Sequence, residues 1–200
     1  MPGSAKEALV LGWKKDRSKE FMTLASPVMD ALYGTAMKLT RNEEVARDLV
    51  QDSYLKAFKY FDTFERGTNF KAWMFRIMTR LFYDSYNERK RNAAMFSSFD
   101  DVTINATADP DSRSGAGERR LLAQELQQAL DQLPADFRLP LVLCDVHEFS
   151  YQEIAEIMEC PIGTVMSRLF RARKRMKEII LNMNQTDEAT TTKSGQIIPF

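Results

Sequence analysis

Two hundred residues, 44% apolar and 28% charged, suffice for one large domain or two small ones with real cores, and no apolar run approaches the roughly 20 residues of a membrane span. The 28 basic and 28 acidic side chains cancel to a net charge of zero, and the opening Met1-Pro2-Gly3-Ser4-Ala5-Lys6 has no apolar signal core, so a cytoplasmic chain without membrane insertion is expected. Cys144, Cys160 and the single histidine, His147, have neither metal-ligand spacing nor a disulfide pattern; no metal, no cofactor and no catalysis are expected of them.

From about residue 20 to residue 91 the pattern is helical and rich in aromatics, while strand signals are weak: there is no sustained alternation and no Asn-Gly or Asp-Gly turn. Asn42 followed by Glu43 and Glu44 is a good helix start for a segment from Val45 to about Phe61. Helical spacing turns Val45, Leu49, Val50, Ser53 and Ala57 inward, with Tyr54 and Phe61 at the margin. Asp48, Gln51, Asp52 and Leu55 face the other way. A leucine among outward acids fits a solvated face with one stray residue or a protein-binding strip, and both readings stand at this point.

Phe64–Asn69 reads as a glycine-containing loop, and a further helix is expected from Phe70 to Asn87. Its core stripe is Phe70, Met74, Ile77, Leu81 and Ser85. A second stripe of Trp73, Arg76, Arg80, Tyr83 and Asn87 mixes rings with basic and amide groups. Rings stack on exposed bases while arginines hold phosphates, so the stripe suits single-strand recognition; packing against a neighbouring helix would explain the rings equally well.

Residues 92–117 then change character, with Ser97, Ser98, Asp100, Asp101, Asp109, Pro110, Asp111, Gly115 and Gly117. With so few large apolar groups the stretch reads as a flexible acidic linker. Helical pattern returns over 118–183, and 184–200 reads as a polar, disordered tail. The expected fold class is therefore all-α: two small helical domains, at 20–91 and 118–183, on a flexible tether.

The second domain contains the sharpest local signal. Ser150 and Glu153 form a capping box that should start a helix at Tyr151. Cys160-Pro161-Ile162-Gly163 should break it, after which Thr164 can cap a second helix. On that second helix Val165, Leu169, Ala172 and Met176 form an apolar stripe, and Thr164, Ser167, Arg168, Arg171 and Arg175 a polar, basic one. The bland alternative is a solvated, charged helix ending a small domain; the agreement of turn, cap and two stripes favours a helix-turn-helix with an outward-facing DNA-reading side. Net neutrality conceals two basic blocks, Lys71, Arg76, Arg80, Arg89, Lys90 and Arg91, and Arg168, Arg171, Arg173, Lys174, Arg175 and Lys177. Local cations favour phosphate contacts, while overall neutrality limits non-specific attraction. The chain is expected to bind DNA poorly alone and well within a larger assembly.

Taken in order, Ala46–Phe58, Phe70–Ile77 with Asp84, Leu133-Pro134, Ser150–Ala155 and Gly163–Arg173 resemble a sigma factor of bacterial RNA polymerase, of the small extracytoplasmic-function (ECF) type with only domains two and four. The resemblance spans about Phe21 to Ile180. It implies that Asp48, Gln51, Asp52 and Leu55 bind the clamp helices of the polymerase β′ subunit. It implies that Phe64, Asn69, Trp73, Arg76, Arg80 and Tyr83 serve −10 recognition, with a non-template base flipped into a pocket. Thr164, Ser167, Arg168, Arg171 and Arg175 would then read the −35 major groove. Core polymerase through its β′ clamp and β flap, promoter DNA and an anti-sigma protein are the implied partners. Two departures stand out: Arg80 replaces a common asparagine, and Met166 replaces a frequent lysine, which leaves Met166 and Phe170 as an apolar pair one turn apart. The rivals are a free-standing helix-turn-helix regulator, which needs neither the clamp strip nor the melting stripe, and a helical adaptor for acidic proteins.

Overall fold

The structure, a computed structural model, describes residues 16–96 and 117–193, and every regular element among the described residues is helical. The chain separates into two compact units, one holding Met1–Asn105 with Ala155–Glu159 and the other Ala106–Ile154 with Cys160–Phe200.

The first helical group comprises α1 (16–25), a 3-10 turn at Ser26–Val28, α2 (Met29–Thr40), α3 (Glu43–Lys59), a second 3-10 turn at Phe61–Thr63, and α4 (Phe70–Phe96). α2 stops because Arg41 takes a left-handed backbone, φ 56°, and its N–H returns to the Met37 carbonyl at 2.9 Å. Asn42 then caps α3 as expected, its side-chain oxygen accepting the Val45 N–H at 3.0 Å. Ala46 and Ala57, fully buried on α3, let its neighbours approach closely, and the buried Ser53 hydroxyl is satisfied by donating to the Leu49 carbonyl at 2.6 Å. Val45 and Val50, expected inside, are only half-buried, because the small Ala46 occupies the contact.

Phe21 lies at the middle of this core. Its ring meets Phe58 at 5.3 Å, Phe61 at 5.2 Å and Phe70 at 6.1 Å, all edge-on. Phe61, expected at the margin of α3, is wholly buried because α3 ends at Lys59 and the 3-10 turn drives the ring inward. On α4 the buried stripe is Phe70, Met74, Phe75, Met78 and Phe82, while Ile77, Leu81 and Ser85 are half-buried. The helix is thus rotated from the expected setting, since Phe75 and Phe82 remove more apolar surface from water than Leu81 and Ser85 would.

The second group comprises α5 (Gly117–Asp131), α6 (Ala135–Asp145), α7 (Tyr151–Ile157) and α8 (Ile162–Lys193). Arg138 is 3% exposed, yet its guanidinium donates to the carbonyls of Leu130 at 3.0 Å, Asp131 at 2.9 Å and Leu133 at 2.6 Å. It satisfies the carbonyls that the end of α5 leaves open, where the helix dipole also favours a cation. The expected capping box is formed: Ser150 N–H donates to the Glu153 carboxylate at 2.9 Å, and Glu153 N–H to Ser150 Oγ at 3.3 Å. Ser150→Ala should therefore destabilise the chain by about 1 kcal/mol, read as a lower midpoint in urea denaturation; an unchanged midpoint would mean that the box contributes nothing.

Three expectations need correction. The left-handed residue of the turn is Glu159, φ 49°, and Gly163 already lies within α8. α8 starts at Ile162, because the Pro161 carbonyl accepts Thr164 N–H at 2.8 Å; Thr164 is therefore in the first turn and does not cap it. Finally, α4 runs to Phe96, α5 opens at Gly117, and α8 continues through 184–193, where a linker and a tail were expected. Neither Asn92–Phe96 nor Thr164–Lys193 contains glycine or proline, so nothing local stops either helix. The remainder of the expected linker, 97–116, and of the tail, 194–200, lies outside the described residues.

Candidate functional site

α8 carries three distinct faces. Val165, Leu169, Ala172 and Met176 are buried, as their spacing predicts. Across the helix Ser167, Arg171 and Arg175 are exposed, with Thr164 and Arg168 half-buried beside them. Arg171 and Arg175 are one turn apart and point the same way, while the Ser167 hydroxyl donates to the Thr164 carbonyl at 3.0 Å. The third face is apolar and open: Ile162, Met166 and Phe170 succeed each other at four-residue steps, with Phe170 72% exposed.

Arg173, grouped by sequence with the basic run, is placed elsewhere. Its guanidinium donates to the Asp145 carboxylate at 2.8 Å and approaches Tyr151 Oη at 3.3 Å and Cys144 Sγ at 3.5 Å. The hydrogen bond to Asp145, then that to Tyr151, raises its pKa above the ordinary arginine value. Burial, then the neighbouring Asp145, raises the Cys144 thiol, which makes it a weak nucleophile.

The other basic surface is built by the loop after α3. Gly67 adopts φ 94°, which suits glycine, and Thr68 closes the turn by donating its N–H and its hydroxyl to the Glu65 carbonyl at 3.2 and 2.7 Å. Asn69 caps α4, its side-chain oxygen accepting the Ala72 N–H at 3.1 Å. Trp73 is half-buried, with its ring centre 5.4 Å from Phe64 and 5.6 Å from Phe70. Arg76 and Arg80 are exposed, and Tyr83 is half-buried. Phe64 does not join this surface. It is 6% exposed, parallel to Phe61 at 6.3 Å and edge-on to Phe70 at 5.1 Å, so it is a floor under Trp73 and has no face open to a base. Periodicity has no purchase on a loop ring, and the collective attraction of the aromatic cluster decided its side.

Sequence reasoning missed the brace on this loop. Arg17 donates to the Phe58 carbonyl at 2.7 Å and pairs with Asp62 at 3.1 Å, and Glu20 receives Arg66 at 2.7 and 3.0 Å. The hydrogen bond from Arg66 holds the Glu20 carboxyl below its ordinary pKa. These pairs join positions more than 40 residues apart, and no local pattern announces them.

On α3, Asp48, Gln51, Asp52 and Leu55 are all exposed, Leu55 by 62%. Among the described residues no group of three or more His, Cys, Asp or Glu is arranged to hold a metal ion, and no helix is long and apolar enough to cross a membrane.

Helical units that carry a helix-turn-helix with an outward basic face, and a separate loop-and-helix surface mixing arginines with a tryptophan, define a DNA-reading transcription protein. The family model for sigma-70 region 2 matches residues 24–92, and that for sigma-70 region 4 matches residues 123–176. The ECF RNA polymerase sigma factor EcfG of Rhodopseudomonas palustris is 34% identical over 150 residues, which cover 75% of this chain and 79% of that one. The ECF RNA polymerase sigma factor SigE of Mycolicibacterium smegmatis is 35% identical over 153 residues; the matched part is 76% of this chain and spans 58% of that protein's length. Among solved structures, the sigma factor RpoE of Bartonella quintana, in complex with the anti-sigma factor NepR, matches with TM-score 0.69 and 35% identity, covering 81% of this chain and 97% of that one. The chain belongs to the ECF sigma factors of RNA polymerase. Its function is promoter-specific initiation of transcription with that polymerase, and the free-standing regulator is not favoured.

Proposed function

We propose that this sigma factor divides its work between its two helical groups. The exposed strip Asp48, Gln51, Asp52 and Leu55 engages the clamp helices of the β′ subunit. Trp73, Arg76 and Arg80, with Asn69 and Tyr83 beside them, hold the melted −10 strand, and Phe64 acts beneath them as a support. Thr164, Ser167, Arg168, Arg171 and Arg175 read the −35 element. The protein works in the cytoplasm, where the polymerase is, and makes no or breaks no covalent bond itself. Because a related sigma factor has been solved with an anti-sigma factor, we also propose an anti-sigma protein as a partner, with the Met166–Phe170 apolar face as one landing surface.

The observation that carries this reading is the disposition of α8: its buried stripe and its exposed Arg171–Arg175 stripe lie on separate faces, about 110° apart by helical spacing, so one docks the helix while the other is left open to a groove. Arg171→Ala should weaken recognition of promoter duplex by about 1–3 kcal/mol and leave a pre-opened bubble almost unaffected. Trp73→Ala should do the reverse, losing about 1–3 kcal/mol of stacking and slowing opening while −35 binding survives. Since Trp73 also packs on Phe64 and Phe70, circular dichroism must first show an intact fold. Transcription by the reconstituted holoenzyme is then compared on duplex and pre-opened templates. Equal rescue of both variants by the bubble would refute the division of labour.

A further inference from the structure

We propose that Arg173 is a positioning residue for −35 recognition, setting the angle at which α8 presents Arg168 and Arg171, and that it makes no contact with DNA itself. The inference rests on the reading of α8 as the −35 helix.

Arg173 follows Arg171 by two residues, which is about 200° around an α-helix, so the two cannot meet the same groove wall. Its guanidinium is instead drawn back to the last residue of α6, Asp145, at 2.8 Å, and to the first residue of α7, Tyr151, at 3.3 Å. Cys144 Sγ adds a third contact at 3.5 Å. One side chain therefore ties the reader helix to both helices that precede it. The end of α6 also suits a cation, because the helix dipole places partial negative charge there.

Leverage explains why this contact affects reading. The turn at Glu159–Pro161 fixes α8 at its first residue, Ile162. Arg173 is eleven residues further on, about 16 Å along the axis. A helix held at one end and by an apolar stripe alone can roll, because apolar contacts are non-directional. A second, directional contact at that distance fixes its roll, and with it the reach of Arg168 and Arg171. The pair is a poor stability device: Arg173 and Asp145 are each 46% exposed, and exposed ion pairs contribute little.

Loss of a phosphate contact and loss of a positioning contact differ in salt dependence. The experiment uses the full chain assembled with core polymerase, on a promoter duplex recovered from a genomic library and on the same duplex with its −35 element scrambled. Affinity for each is measured across a salt series for wild type, Arg171→Ala, Arg173→Ala, Asp145→Asn and the swap Arg173→Asp with Asp145→Arg. Arg173→Ala and Asp145→Asn should each reduce discrimination between the two duplexes by about threefold to tenfold, as directly coupled residues do. Their salt slope should match wild type, and the swap should recover part of the loss. Arg171→Ala, if it loses a phosphate contact, should flatten the slope by about 0.9. Thermal melting controls for folding, and Asp145→Asn carries the test if Arg173→Ala unfolds. The proposal is overturned if Arg173→Ala flattens the slope as a phosphate contact would, or if Asp145→Asn leaves discrimination intact. A wild-type holoenzyme that does not distinguish the two duplexes would instead refute the −35 reading on which the proposal rests.

Discussion

Asp52→Arg combined with Leu55→Ala should weaken binding to core polymerase by about 2–4 kcal/mol, the range of an interface hot spot with a reversed charge. Both side chains are exposed, Leu55 by 62%, and neither contributes to the core of the first group. The double variant should therefore melt within about 0.5 kcal/mol of wild type, as surface changes do. Polymerase binding measured by surface plasmon resonance separates the outcomes: normal affinity removes the clamp assignment, and lost affinity with lost folding says nothing in its favour. Asp48→Arg, on the same exposed face, should act in the same direction.

The largest stability effect is expected at Phe61. Its ring is wholly buried and meets Phe21 at 5.2 Å, Phe64 at 6.3 Å and Phe70 at 6.3 Å. Phe61→Ala removes the transfer free energy of a large ring and leaves a cavity, a loss of about 3–5 kcal/mol. Because Phe64 rests on Phe61 and Trp73 on Phe64, the damage should extend to the loop before α4. At a temperature where the variant still folds, promoter opening should fall more than polymerase binding, since the α3 strip is exposed and makes no use of the ring. Denaturant titration gives the stability and a permanganate assay gives the opening. A loss below about 1 kcal/mol would mean that the cluster repacks.

Capping and α8 periodicity were legible because they depend on residues three or four apart: Asn42 and Val45, Ser150 and Glu153, and the stripe from Val165 to Met176. The outward setting of Asp48, Asp52 and Leu55 was legible for the same reason. α8 starts three residues before the position that a Thr164 cap predicts, because the left-handed backbone of the turn falls on Glu159 and Gly163 is already helical. Nothing in local chemistry favours a glutamate there.

Sequence alone determined that the chain is helical, where its best-defined helices begin, which α8 residues face outward, and, by resemblance, the family to which it belongs. These properties follow from the 3.6-residue period and from short-range hydrogen bonding, which act before any long-range contact exists. Only the tertiary structure decided that Phe64 is buried beneath Trp73, that α4 turns Phe75 and Phe82 inward, and that Arg17, Glu20 and Arg173 hold distant segments together. An aromatic ring can be buried from several backbone positions, and a guanidinium on a long flexible stem reaches whichever carbonyl or carboxylate the packed chain brings near it. The period of a helix says which side a residue is on; it does not say what will be standing there.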